Sequence, residues 1–497
     1  MVKGMYIFKK IIVFLIGTVV TIILPFVCLE MFLRVYPILV RPFATTTDVG
    51  LYVVGESTGF GEPFGPQISY PKIISFMFND SLGGVPISIV NLSQSGSKTR
   101  RQYERLRRQL YLHPPSKNSL LFIYLGINDW TNGPPQKVSF CDRVCRWSRV
   151  FEQLYSLTSS GHRSANFSYE NELGRIIELG QSFGLRVFIS NLCGNFSDFP
   201  PKDNSIFSNE QVSLLLNRAR VLENSGALQE AEKVYNQMEN IRGIAYDHVF
   251  FRHGRVLAKM LRYNEARESF FKMADSGSNL RPSRYQNTVI NKLAVRYGAE
   301  YVDAVRAFTD AASHGLIGYN LFIDAHHPNL AGYIVLSNAF AARIAISYQV
   351  PINRPIISEQ DVVHHFSFTR DDWFKVYISR AQWLLAEASE DSDRAASIKR
   401  AQYYVATAED IWRASNYDEK NRLDLYLTKL MVAVISKDSA EVIKWLNRGE
   451  FLTKSKSVLS GKTDFFKVWI KNCLMLVDVP QEVIKDIAAT IDASAAI

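Results

Sequence analysis

Three short apolar runs in the first quarter of the chain each end at a turn carrying groups able to do chemistry. Leu51-Tyr-Val-Val54 runs into Gly55-Glu56-Ser57, Ile87-Ser-Ile-Val90 into Asn91-Leu-Ser-Gln-Ser-Gly96, and Leu120 to Leu125 into Gly126-Ile-Asn128-Asp129. Arg186-Val-Phe-Ile-Ser190 and Glu300-Tyr-Val-Asp303 read as two further buried strands. Between them lie stretches with helical spacing, including Tyr70 to Phe78, Thr99 to Leu112 and Asn171 to Phe183. Strands alternating with helices predict a parallel sheet covered by helices on both faces. Such sheets bind ligands beyond the carboxyl ends of their strands, where these three turns fall.

A fourth block, Asp324-Ala-His326-His327-Pro328, completes the set. A serine hydroxyl is a weak nucleophile until a base takes its proton. His327 can accept the proton of Ser57, and Asp324, three residues earlier, can hold the other ring nitrogen protonated and oriented. His326 competes on proximity, but the spacing and the following proline favour His327. An acyl-transfer intermediate also needs donors for its oxyanion, and the Ser57 N–H, the Gly96 N–H and the Asn128 side-chain amide are available at strand ends. Taken singly, each block has a plain reading: a turn glycine at Gly96, an Asx cap at Asn128, a helix-capping aspartate at Asp324.

The four blocks, in this order and placement, resemble the SGNH (GDSL-type) hydrolase superfamily. The resemblance spans roughly residues 48 to 345, and Tyr301-Val-Asp303 and Asn329-Leu-Ala-Gly332-Tyr333 extend it. It implies an α/β fold, a three-layer α/β/α flavodoxin-like sandwich. Residue by residue it implies Ser57 as nucleophile, Ser57, Gly96 and Asn128 as oxyanion donors, His327 as base and Asp324 as its orienting acid, with no cofactor and no metal. One departure is Glu56, where the family more usually has aspartate; it is similar to a membrane-attached bacterial subgroup with Gly-Glu-Ser-Thr and helical repeats.

At 497 residues the chain is too long for one ordinary core. Its 47% hydrophobic and 21% charged residues argue against wholesale disorder. A formal charge of +9 favours anionic surroundings only mildly, because the basic residues are spread out. The densest basic run, Thr99 to Arg108, reads as a solvated helix face rather than a nucleic-acid site. Five cysteines make no disulfide framework, although Cys141 and Cys145 are close enough to pair; neither a second close pair nor a His-Glu-x-x-His run supplies a zinc site.

Residues 11–33 form the predicted transmembrane signal anchor, with 1–10 cytoplasmic. Ile11 to Leu29 is uncharged and about long enough to cross the hydrocarbon core, and Lys3, Lys9 and Lys10 precede it. A cleavable signal peptide is the rival, but no small-x-small site follows the run. The hydrolase-like domain is expected over 48–208 and 281–348, interrupted by a helical insert at 209–280. There Leu222-x3-Gly226-x-Leu228-x2-Ala231-x3-Tyr235 recurs as Leu257-x3-Leu261-x-Tyr263-x2-Ala266-x3-Phe270, similar to tetratricopeptide hairpins. Two such units bury too little alone and must lean on the hydrolase body or on a protein partner. Residues 360–497 form an all-α region with no assignable motif.

The expectation is a periplasmic, inner-membrane serine esterase or deacylase acting on an acylated small molecule or envelope glycan. Transfer of the acyl group to a sugar hydroxyl is the near alternative. A non-catalytic scaffold that binds glycan or partners through the repeats is the distant one.

Overall fold

The computed structural model describes residues 47–129, 169–201, 210–239, 246–276, 280–387, 394–415 and 419–436, with isolated positions elsewhere. Cys141, Cys145 and most of the apolar N-terminal run lie outside the described residues.

Strand β1 (Val49–Gly55) is buried along its whole length, which explains its continuous apolar sequence. It pairs in parallel with β3 (Val85–Asn91) on one side and β4 (Leu120–Tyr124) on the other, Leu51 lying opposite both Ile89 and Leu120. β5 (Arg186–Ser190) and β6 (Glu300–Val302) continue the parallel sheet. A two-residue strand, β2 (Ser81–Leu82), adds an antiparallel edge to β3 that the sequence pattern did not announce. The order β2-β3-β1-β4-β5-β6 places the winding reversal at β1, so the loops after β3, β1 and β4 converge there.

Alternation along β4 assigns the layers. Phe122 points toward α2 (Tyr70–Met77) and α11 (Leu330–Tyr348), where its ring lies 6.4 Å from Tyr70 and 5.0 Å from Phe340. Leu121 points the other way, close against Gly180 of α4 (Tyr169–Ser182), which packs beside α3 (Thr99–Leu112). Each such buried aromatic stabilises the layer by roughly 1.5–3 kcal/mol. α11 is the single described helix long and apolar enough to cross a membrane. Here it packs on α2, β6 and α10 (Ala304–Ala311), with Tyr333, Leu336 and Phe340 buried.

The insert is two helical hairpins, α5 (Glu210–Asn224) with α6 (Leu228–Met238) and α7 (Tyr246–Lys259) with α8 (Tyr263–Asp275). Val212, Leu216, Val234, Tyr235 and Val256 form a small core of their own. Phe251, Phe270 and Met273 instead belong to the main core, so the second hairpin leans on the body as its size requires. α9 (Arg284–Tyr297), opened by a capping box at Ser283 and Gln286, returns the chain to the sheet.

The C-terminal helices are α12 (Glu359–His365), α13 (Arg370–Glu387), α14 (Arg394–Arg413) and α15 (Glu419–Ile435). They are not a separate body. Phe374, Ala381, Leu384, Tyr404 and Leu425 belong to the same continuous core as the sheet.

Candidate active site

Ser57 opens α1 (Ser57–Phe60) directly after β1, a strand-to-helix turn that aims its hydroxyl over the sheet edge. His327 comes from the loop before α11, far along the chain. Its Nε2 lies 2.8 Å from Ser57 Oγ, and its Nδ1 lies 2.7 Å from Asp324 Oδ2. A Nδ1 proton directed at the carboxylate leaves Nε2 as acceptor for the serine hydroxyl. All three side chains are buried.

The tight turn explains how Asp324 reaches its neighbour. Its Oδ1 accepts the backbone N–H of His326 at 3.1 Å and of His327 at 2.9 Å, which folds the carboxylate back over the loop. Asn329 then caps α11 by accepting the Gly332 N–H, so the helix starts just beyond Pro328. Burial opposes the charge on Asp324, yet His327 and Arg380 together hold its carboxyl well below the usual range. His326 lies beside His327, their rings 4.1 Å apart, but takes no part in the chain of contacts to Ser57. Its ring hydrogen-bonds to the Leu280 backbone, and burial beside His327 depresses its pKa to about 3, so it stays neutral.

The two other residues expected to stabilise an oxyanion, Gly96 and Asn128, lie in the loops after β3 and β4, the strands on either side of β1. Gly96 has φ +70°, a left-handed conformation natural to glycine, and among the described residues nothing accepts its N–H. Asn128 Nδ2 donates one hydrogen to Ser97 O at 3.1 Å, and among the described residues its second hydrogen has no acceptor. Gln94 N–H meets Gly55 O at 3.4 Å, tying the same loop to the end of β1.

Glu56 has a different function from the proton relay. Its buried carboxyl group accepts three backbone N–H groups, from Gly126 at 3.3 Å, Ile127 at 3.0 Å and Asn128 at 2.9 Å. Burial and the nearby Asp129 push its pKa up to about 8, while those three donors pull it down. Asp129 in turn accepts the Thr99 N–H at 3.0 Å and the Thr99 hydroxyl, joining the Asn128 turn to the start of α3. The longer carboxylate of the first block is thus the clamp for the third.

Arg380 of α13 was not foreseen from sequence. Its Nη1 donates to Asp324 Oδ2 at 3.0 Å, and its Nη2 lies 3.7 Å from Glu62 Oε2. Nothing local signals this function except a cation flanked by the buried Val376, Ile378 and Ala381. Trp383, one turn on, stands edge-to-face with His327 at 6.5 Å.

Asp324, His326 and His327 also bring their potential ligand atoms within 4.8 Å of one another, a spacing open to a metal ion. The Asp324 oxygen facing His327 is already engaged by both the imidazole and the Arg380 guanidinium, whose charge would repel a cation. The donor set fits a proton relay better than a metal centre.

No protein-family model matches the chain, and no curated protein matches it. Among solved structures it is similar to the acetylxylan esterase Axe2 from Geobacillus stearothermophilus, at 15% identity and a TM-score of 0.31, covering 62% of this chain and 99% of that one. It is also similar to a GDSL-like lipase from Bacteroides thetaiotaomicron, at 10% identity and a TM-score of 0.30, covering 64% and 97%. Such distant likenesses carry no weight beside the geometry of Ser57, His327 and Asp324.

Proposed function

We propose that this protein is a membrane-anchored, extracytoplasmic serine ester hydrolase of the SGNH type, acting on an acylated small molecule or glycan. The observation that carries the reading is the relay Ser57 Oγ, His327 Nε2, His327 Nδ1, Asp324 Oδ2, joined at 2.8 and 2.7 Å. Ser57 Oγ attacks the ester carbonyl carbon while its proton passes to His327 Nε2. The oxyanion takes hydrogen bonds from the Gly96 N–H, the Asn128 side chain and the Ser57 N–H. The intermediate collapses to an acyl-serine, and His327 returns the proton to the leaving alcohol. Water, deprotonated by His327, then releases the carboxylic acid and restores Ser57. A sugar hydroxyl in place of that water gives acyl transfer by the same first half-reaction.

The anchor is inferred from the apolar run Ile11 to Leu29. Within it, the described positions 23–29 are helical and exposed, including Ile23, Leu24, Phe26, Val27 and Leu29. An envelope glycan follows from that location as the preferred acyl carrier. The two hairpins, with their tetratricopeptide-like spacing, offer a surface for a protein partner.

The 497-residue chain in detergent is assayed on short-chain aryl esters beside Ser57→Ala, with fluorophosphonate labelling of the serine. Hydrolysis and labelling are expected in the native chain alone. Equal background rates in both, with no labelling, would remove the hydrolase reading. A C-terminal reporter active only in the cytoplasm would separately overturn the topology.

A further inference from the structure

The catalytic loop is gripped from outside the sheet domain. Tyr404 of α14 donates its hydroxyl to Ile323 O at 2.6 Å, immediately before Asp324. The guanidinium of Arg400, also on α14, lies over the Tyr319 ring at 4.1 Å. On the nucleophile side, Phe64 meets Phe368 at 5.7 Å and Trp373 at 5.5 Å, both edge-to-face. Gln67 Nε2 donates to Phe366 O at 3.0 Å. The C-terminal helices therefore hold the loop after Ser57 and the loop before His327 at once.

Arg380 stands where these two grips meet. It donates to the same Asp324 oxygen that takes the His327 Nδ1–H, and it lies against Glu62, whose Oε1 accepts the Ser95 hydroxyl at 3.2 Å. Its side chain is only 11% exposed and that of Asp324 is 0% exposed. A guanidinium is permanently charged and presents its donors in a fixed plane, so it dictates carboxylate orientation as a more mobile ammonium does not. The charges also alternate in sign. When His327 becomes protonated during proton transfer, the row Glu62, Arg380, Asp324, His327 reads minus, plus, minus, plus. Removing Arg380 leaves two buried or half-buried carboxylates without their shared cation, and a water or a proton would take its place on Asp324.

We propose that Arg380 is a positioning residue for the Asp324–His327 pair, and that the C-terminal helices are by this contact an integral wall of the active site. The proposal rests on the hydrolase reading above. It acts through Asp324 rather than on substrate, so its loss lowers turnover and leaves binding of a small ester nearly unchanged. Misplacing a positioned group by about 1 Å can cost up to about a hundredfold in rate.

The test compares the native 497-residue chain with Arg380→Ala, Arg380→Met and Arg380→Lys on a short-chain aryl ester, with the rate of fluorophosphonate labelling of Ser57 as a parallel readout. The expected result is a roughly ten- to hundredfold loss of kcat in the alanine and methionine variants, with KM within about twofold. Arg380→Lys, retaining the charge, should recover a large share of the loss, and added guanidinium should raise the Arg380→Ala rate but not that of Arg380→Met, whose side chain fills the space. Labelling rates should follow kcat. A folded Arg380→Met with native kcat would overturn the proposal, as would a loss carried by KM that neither lysine nor guanidinium repairs. Where the neutral variants fail to fold, Arg380→Lys decides: native KM with a kcat reduced severalfold supports the proposal, and a raised KM with native kcat overturns it. An inactive, unlabelled native chain would instead remove the hydrolase reading, and the proposal with it.

Discussion

The carboxyl group of Glu56 accepts the backbone N–H of Asn128 at 2.9 Å, so the residue beside Ser57 also fixes the turn at the end of the adjacent strand, β4. Blocks one and three are thereby one mechanical unit. Block two joins them through the Asn128 amide on Ser97 O.

Glu56→Ala leaves the N–H groups of Gly126, Ile127 and Asn128 buried without their acceptor. Each orphaned donor costs about 1–3 kcal/mol, so thermal stability and kcat should fall together. Ser57→Ala should abolish activity with stability kept. Calorimetry beside kinetics separates the two, and a Glu56→Ala protein of native melting temperature would refute the clamp.

Asn128→Ala removes one of the proposed oxyanion donors while the Glu56 clamp on its backbone persists. A drop in kcat of roughly a hundred- to a thousandfold is expected, with KM little changed. Steady-state kinetics on an aryl ester reads this directly, and a loss under about threefold would take Asn128 out of the oxyanion site.

Gly126 combines φ +135° with a Tyr169 phenol packed so close that its hydroxyl and ring leave no room for a Cβ. Tyr169 is itself held by its hydroxyl on Leu125 O at 2.8 Å. Gly126→Ala should destabilise the chain by about 1–3 kcal/mol or more and displace Asn128, lowering kcat. Denaturant unfolding measures the first effect; an unshifted midpoint would contradict it.

Two buried groups give the stability curve opposing slopes. His326 has its pKa depressed from 6.5 to about 3, so below about pH 6.5 the unfolded chain binds a proton that the folded chain refuses, and stability falls as pH falls. Glu56 is raised from 4.5 to about 8, so its contribution is fully present below about pH 4.5 and is lost as pH rises to about 8. Between pH 4.5 and 6.5 the two slopes oppose, each at most about 1.4 kcal/mol per pH unit. In that window His326→Gln should become less stable with rising pH and Glu56→Gln more stable. Melting curves parallel to the native protein in both variants would rule out this pair of titrations.

Much of the site was legible because its members sit on short local patterns. The strands at Leu51, Ile87 and Leu120 show as apolar runs, and Asp324 and His327 share one turn, so their pairing needs only three residues of chain. The helix Thr99–Leu112 is read to the residue from its apolar stripe. Edge strand β2 is too short to leave a period, and Arg380 leaves none because its meaning lies in a partner 56 residues away.

The sequence by itself determined which chemistry the chain can carry: a serine, a base, an acid and three donors, each tied to a strand end or a turn. Only the tertiary structure decided that Ser57 and His327, 270 residues apart, meet at 2.8 Å, that Glu56 serves the Asn128 turn rather than the proton relay, and that α13 brings Arg380 onto Asp324. The reason is physical. Local propensity and hydrophobic period act over a few residues, whereas these contacts are set by how the sheet reverses its winding at β1 and by which helices its core must bury.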